Sequence, residues 1–335
     1  MESINLKLRD LQPSQFYISE KKLAEVEQWL SPGDLSNFAP IPVKWLNGRP
    51  VMTDGHTRAV AALRAGLEQV PLALEEDELS WDMYMRCVAA CRERGIHSSL
   101  DLQERIISEQ DYKTLWDAWC DDMQREIITE RAMAYVQALF AENAGGHDAD
   151  HTLRVYRAAM EIADSEPGCD KEVVALAALL HDADDHKLFQ TENNANARWF
   201  LEENHIPAEG IDLVCEAINS VSFSNNRGKT PRTLEGKIVQ DADRLDALGA
   251  IGIARTFAYG GEHGRSMADS LQHFHDKLLL LKDLMHTEKG RQLAEKRHAF
   301  LEAFLEEWKE ESGGKSAPRN LSPWCRKEEK DEEKH

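Results

Sequence analysis

Val173-Val-Ala-Leu-Ala-Ala-Leu-Leu-His-Asp-Ala-Asp-Asp-His-Lys-Leu-Phe189 opens with eight consecutive apolar residues and runs straight into His181-Asp182. The apolar part is bounded by Lys171 and Glu172 on one side and by His181-Asp182 on the other, and it is far too short to span a bilayer. It reads as a helix, Val173–Leu180, ending on a polar pair. Alone, a His-Asp dipeptide there is an ordinary polar helix terminus. Two further fragments change its meaning: Gly146-His-Asp-Ala-Asp-His151 upstream and Gln240-Asp-Ala-Asp-Arg-Leu-Asp246 downstream. Together they give the ordered set H…HD…D on three helical segments. Imidazole nitrogens and carboxylate oxygens in one set suit a borderline divalent cation and leave positions for water and substrate.

Around this set the pattern is helical almost throughout. Apolar residues recur three and four apart in Trp81–Arg94, Tyr112–Phe140 and Leu153–Ala163, and Ala208–Val221 and Leu234–Phe257 are further helix candidates. Gly145-Gly146 opens a short loop. Residues Leu11–Glu75 differ: a helix near Glu20–Leu30, strand-like runs Ile41–Trp45 and Pro50–Thr53, a helix His56–Ala65, then Val70–Leu74, with turns at Pro32-Gly33 and Asn47-Gly48. The expected fold class is therefore an α+β N-terminal domain followed by an all-α domain. The boundaries read as 1–124, 125–311 and a charged, apolar-poor tail 312–335, with Tyr112–Met123 either a linker helix or part of the first domain.

At 335 residues the chain has room for two cores. The net charge of −20 argues against nucleic acid as the main partner, so a small phosphorylated substrate would need a metal and local Arg or Lys to overturn the field. The six cysteines form no CxxC pair and read as reduced thiols. The opening MESINLKLRD lacks the apolar core of a signal peptide, so a cytoplasmic protein is expected.

The stretches GHDADHTLRVYRAA, VVALAALLHDADDHKLF and GKIVQDADRLDALGAIGIARTFAYGG resemble the HD-domain superfamily of all-helical metal phosphohydrolases, over roughly Arg125 to Trp308. The likeness extends to the bacterial branch whose members cleave nucleoside and deoxynucleoside triphosphates to monophosphate and pyrophosphate. Carried over residue by residue, it implies His151, His181, Asp182 and Asp243 as ligands of a divalent ion, manganese first, with Co, Ni, Fe, Zn or Mg as alternatives. It also implies Asp185 as the carboxylate that orients water or protonates the leaving oxygen. Asp184 reads as a carboxylate solvated at a helix end. Lys187 and Arg154 are expected phosphate contacts, Arg157 stands between phosphate contact and surface solvation, and Arg244 and Asp246 read as partners of the ligands. Gly249-Ala-Ile-Gly252 gives a face without bulk, read as tight helix packing. Ser220–Lys229 reads either as a cover over the site or as a plain loop.

His147 and His151 also have the i, i+4 spacing of a zinc-protease helix, with Asp in place of Glu, but that reading leaves the downstream fragments without a role. His147 is read as a brace for the helix start. Other readings of the whole remain open: an HD phosphodiesterase or nucleotidase on another phosphate ester, or a nucleotide-sensing regulator with an inactive HD scaffold.

In the first domain, Val51-Met-Thr-Asp-Gly-His-Thr-Arg58, flanked by PIPVKWLNGRP and AVAALRAGLEQVPL, resembles the ParB/sulfiredoxin-like fold over roughly Leu11 to Leu74. The resemblance implies a turn for nucleotide phosphates at Gly55, His56, Thr57 and Arg58, and hence a second nucleotide, against a purely structural role. No basic DNA-reading segment follows it, and no Cys sits in the turn.

Overall fold

Strand β1 (Gln12–Pro13) opens the first unit beside β4 (Arg49–Met52), in a four-stranded sheet ordered β1-β4-β3-β5 with β3 (Ile41–Leu46) and β5 (Leu72–Leu74). The β3–β4 pair is antiparallel, and Leu46 faces Arg49 across the two-residue turn Asn47-Gly48. Both turn residues have positive φ, 48° and 74°, as a type I′ hairpin requires and as Asn-Gly supplies at least cost. The other two pairings, β1 with β4 and β3 with β5, are parallel. A second, two-stranded parallel sheet joins β2 (Ile18–Ser19) to β6 (Ile106–Ile107). Helices α1 (Glu20–Trp29) and α2 (His56–Arg64) pack together, and their buried faces meet Phe16, Ile18, Ile41 and Met52 in one apolar cluster. Helix α3 (Trp81–Glu93) adds Ala90 and Cys91 to that core.

This computed structural model describes residues 5–31, 33–141, 149–186, 188–221 and 229–313. The expectations for Lys187, His147, Gly145-Gly146, Pro32, most of Ser220–Lys229 and the tail beyond 313 lie outside the described residues. The chain divides into two units, Met1–Ile128 and Thr129–His335. The division falls inside a long helical passage: α4 (Glu109–Tyr112) continues through a π-turn at Lys113–Asp117 into α5 (Ala118–Leu139). No described helix is long and apolar enough to cross a membrane, and the five described cysteines are free.

The second unit is helical: α6 (Ala149–Ala163), α7 (Lys171–Leu180), α8 (Ala195–Glu203), α9 (Ala208–Val221), α10 (Leu234–Asp246), α11 (Gly249–Glu262), α12 (Met267–Asp276) and α13 (Glu288–Glu311). Helix α7 sits at its centre, with every residue from Val173 to Leu180 buried, against α6, α9 and α10. Burial of each large side chain there contributes roughly 1.5–3 kcal/mol, which fixes the helix that carries His181-Asp182. Asp170 starts it, its carboxylate accepting from the N–H groups of Glu172 and Val173 at 2.9 and 3.3 Å. Phe257, Phe274, Phe304 and Trp308 join α11, α12 and α13 through ring contacts at 5.7–6.0 Å.

Two expectations are corrected here. Leu234–Phe257 is not one helix: it breaks at Ala247-Leu248, and Gly249 restarts it with φ 72°. The small residues after the break serve that reversal at Gly252, where a Cβ would lie 2.1 Å from the Ala247 carbonyl oxygen, and the expected close helix packing at Gly249, where a Cβ would press on Arg297 of α13 at 3.3 Å. Asp184 is not solvated: it accepts from the N–H groups of Asn196 and Ala197 at 2.9 and 3.1 Å and so caps α8, whose own N-cap residue, Asn194, makes no side-chain cap.

Candidate metal centre

His151 lies in the first turn of α6, His181 immediately follows α7, and Asp243 lies in the last turn but one of α10. One ligand atom from each falls within 4.8 Å of the others. The two imidazole Nε2 atoms stand 3.4 Å apart, with Asp243 Oδ1 at 3.4 Å from His151 and 4.0 Å from His181. Asp182 Oδ2 stands 3.5 Å from each Nε2. Both His side chains are 2% exposed, whereas Asp243 is 28% exposed and marks the face open to solvent.

The far side of each ring fixes its tautomer. His181 Nδ1 donates to the Ala178 carbonyl at 2.9 Å, and His151 Nδ1 donates to Asp246 Oδ2 at 2.7 Å. With Nδ1 so engaged, Nε2 is the atom that each ring turns toward the other and toward two carboxylates. A carbonyl or carboxylate behind a ligating imidazole orients the ring and raises its basicity. The carboxyl-terminal end of α7 adds negative dipole potential beside His181. Two imidazoles and the Asp243 carboxylate around one point, with Asp182 beside both rings, form a donor set that fits a divalent cation once it displaces the proton at His151.

Asp246 is itself clamped. Arg154 forks onto it, Nε to Oδ1 at 2.7 Å and a terminal nitrogen to Oδ2 at 3.1 Å, and Arg255 reaches Oδ2 from α11. Burial would raise the Asp246 carboxyl, but His151, Arg154 and Arg255 overturn that and hold it well below the usual carboxylate range. Burial likewise opposes charge on His151, yet Asp243, Asp246 and Asp182 raise its pKa to about 9. Asp243, also opposed by burial, is lowered by His151 and His181. Without an ion, the proton on His151 is what these carboxylates hold, so a cation takes that proton's place.

Arg154, expected on phosphate, is thus engaged with Asp246. Asp246 is the expected partner of a ligand, but Arg244 is not: its guanidinium donates to the Leu284 carbonyl and lies 3.1 Å from His286 Nε2, on another side of α10. Asp185 follows the HD pair through a turn closed by its N–H on the Asp182 carbonyl at 3.1 Å, with its side chain 14% exposed. Arg157 is exposed. Arg255 was missed, because it stands nine residues past Asp246 and beyond the helix break. Asp241, two residues before Asp243, points elsewhere and accepts from the N–H groups of His286 and Thr287, which seats the start of α13.

In the first unit, Gly55 adopts φ 78° at the start of α2, and a Cβ there would lie 2.9 Å from the Arg58 guanidinium. His56 is buried, its Nε2 accepting from the Ser14 N–H at 3.1 Å, and burial lowers its pKa to about 4. Thr57 is half-buried beside it. Arg58 donates to the Ala39 carbonyl at 2.6 Å and to Asp54 at 3.0 Å.

Residues 148–248 match the HD domain family. The uncharacterized protein YpgQ of Bacillus subtilis is 39% identical over 194 residues, which are 55% of this chain and 94% of YpgQ. The chain belongs to the HD superfamily. The crystal structure of YpgQ in complex with ADP is similar to it with a TM-score of 0.50 at 34% identity, over 57% of this chain and 98% of that one. A structure of an HD-superfamily hydrolase from Bacillus thuringiensis covers 56% of this chain and 99% of its own at 40% identity, with a TM-score of 0.48. This HD protein is a metal-dependent phosphohydrolase whose His and Asp cluster is of the kind that binds a divalent ion.

Proposed function

We propose that the enzyme hydrolyses nucleoside or deoxynucleoside triphosphates to the monophosphate and pyrophosphate, with manganese held by His151, His181, Asp182 and Asp243. The observation that carries this reading is the convergence of His151 Nε2, His181 Nε2 and the Asp243 carboxylate on one partly open face, with Asp182 3.5 Å from both rings and each imidazole fixed from behind. A divalent ion bound there supplies charge for a phosphoryl oxygen and acidifies water. The chain's own part is to hold that charge still: Asp246, fixed by two arginines, keeps His151 in one tautomer, and the exposed edge of Asp243 leaves room for substrate. Asp185 is assigned to orienting water and Lys187 to a phosphate oxygen. A nucleotide ligand is supported by the relative YpgQ, which was crystallised with ADP.

In the same reading the first unit, with its mixed sheet and glycine-capped turn, is an accessory ParB/sulfiredoxin-like domain. A phosphate at Gly55–Arg58 would have to draw Arg58 off Asp54 and Ala39, which favours a structural part for that turn.

The test is a screen of the manganese-loaded chain against nucleoside mono-, di- and triphosphates and cyclic dinucleotides. Stoichiometric pyrophosphate release from triphosphates is expected. Inorganic phosphate from monophosphates, or turnover of cyclic dinucleotides alone, contradicts the proposal.

A further inference from the structure

A cleft of about 350 Å³ lies between α6, the α10–α11 break and α13, and it shares Asp246 and its partner Arg154 with the surroundings of the metal centre. Imidazole Nδ1 and Nε2 point away from one another, so Asp246, on Nδ1 of His151, sits on the opposite side of the ring from the ligand atoms. None of the four assigned ligands lines the cleft.

Its walls carry Arg154 and Arg157 from α6 and Arg297 from α13. The two acidic lining residues are already compensated: Asp246 by Arg154 and Arg255, and Glu161 by Lys289 at 2.9 Å. Counting the lining residues and their ion-pair partners, an excess of three positive charges surrounds one concavity in a chain of net charge −20. Arg157 makes no ion pair with any described residue. Arg297 donates to the Leu245 carbonyl at 2.5 Å, which fixes its guanidinium at the rim. Concentrated guanidinium groups in an otherwise acidic protein are the arrangement that selects phosphate. The opening turn of α11 faces the same cleft, and Leu248 at its N-cap has no side-chain acceptor for the free N–H groups, so the helix adds to the positive potential. The remaining wall is apolar, with Leu248, Ala250 and Ile251, the last 43% exposed.

We propose that this cleft is a regulatory site for a phosphate-bearing small molecule of nucleotide size, separate from the metal face. The phosphate lies among Arg154, Arg157 and Arg297, and the less polar moiety lies against Ile251. Arg154 is the shared element: an anion that draws it from Asp246 loosens the carboxylate behind His151. Occupancy therefore weakens metal binding, and by linkage the metal weakens anion binding by the same factor. The inference stands whether or not triphosphates are the substrate.

The test titrates AMP, with inorganic phosphate for comparison, into the full chain stripped of metal. One AMP per chain is expected, bound about tenfold more tightly than phosphate, with at least tenfold loss in Arg157→Gln and in Ile251→Glu and no change in His181→Ala. Both cleft substitutions are at exposed positions, so the fold persists, and circular dichroism checks it. Saturating AMP should lower manganese affinity about fivefold, after allowance for their association in solution. Absence of AMP binding, or binding lost in His181→Ala and kept in Arg157→Gln, overturns the site. Equal affinities for AMP and phosphate overturn the nucleotide-sized ligand, and unchanged or tighter manganese binding overturns the regulation.

Discussion

His56 and His151 both stand in the first turn of a helix, both follow an acidic residue closely, and both are buried, yet the folds give them opposite proton affinities. His56 meets a backbone N–H and a hydroxyl from Ser14 and is pushed down to about 4 by burial. His151 meets Asp182, Asp243 and Asp246, which overcome the same burial and raise it to about 9. Depth sets how much a charge costs; the partners decide whether that cost is met. A neutral His accepting a hydrogen bond is a structural pin. A His among carboxylates is a place for a cation.

The largest expected effect tests the cation. His181→Ala and Asp243→Ala should each lose bound metal and reduce turnover by about a thousandfold or more while far-UV circular dichroism stays unchanged, because these side chains hold an ion rather than fill the core. Metal content by mass spectrometry alongside turnover checks this, and full metal occupancy in either variant would remove that residue from the ligand set. Asp246→Asn should keep the metal but weaken it by about 10–100-fold, since an amide supports the His151 tautomer less well. An unchanged affinity would show that Arg255 and packing suffice to hold the ring.

The two histidines also predict opposite pH responses. In the metal-free chain His151 is protonated below about 9, so manganese must displace a proton, and affinity should rise with pH up to about 9 at roughly tenfold per pH unit. A pH-independent affinity would contradict the raised His151. For His56 the folded pKa is depressed, so the unfolded chain takes up a proton first as pH falls. Stability is then present above about 6.5 and is lost toward 4, by roughly 3 kcal/mol from a shift of that size. Urea unfolding at pH 7 and 4.5 measures it, and His56→Gln should abolish that part of the loss.

What was legible followed from how local the signal is. Strands Ile41–Trp45 and Pro50–Thr53 and the Asn47-Gly48 turn are announced by alternation and by residues suited to positive φ, and α7 by an uninterrupted apolar run. The candidate ligands lie in short polar fragments at or near helix ends. Other roles depend on partners distant in sequence: Asp184 caps a helix twelve residues on, Ser14 reaches His56 across forty-two, and Asp246 binds His151 across ninety-five. The break at Ala247-Leu248 was hidden because the apolar period continues through it, and only Gly249 carries a trace of the left-handed residue.

The smallest expected effect separates the aspartates of His181-Asp-Ala-Asp-Asp185. Asp184→Ala removes the cap of α8 and should cost about 1 kcal/mol, read as a fall in Tm, while metal content and turnover stay as they are. Loss of metal in this variant would move Asp184 into the centre.

The most direct measurement is an anomalous difference map from crystals of the manganese-loaded chain. One peak is predicted, bonded at about 2.0–2.3 Å to His151 Nε2, His181 Nε2 and an Asp243 carboxylate oxygen, with Asp182 completing the protein ligands and Asp246 remaining on His151 Nδ1. A peak at other residues, or one bonded to His151 Nδ1 in place of Asp246, would contradict the account.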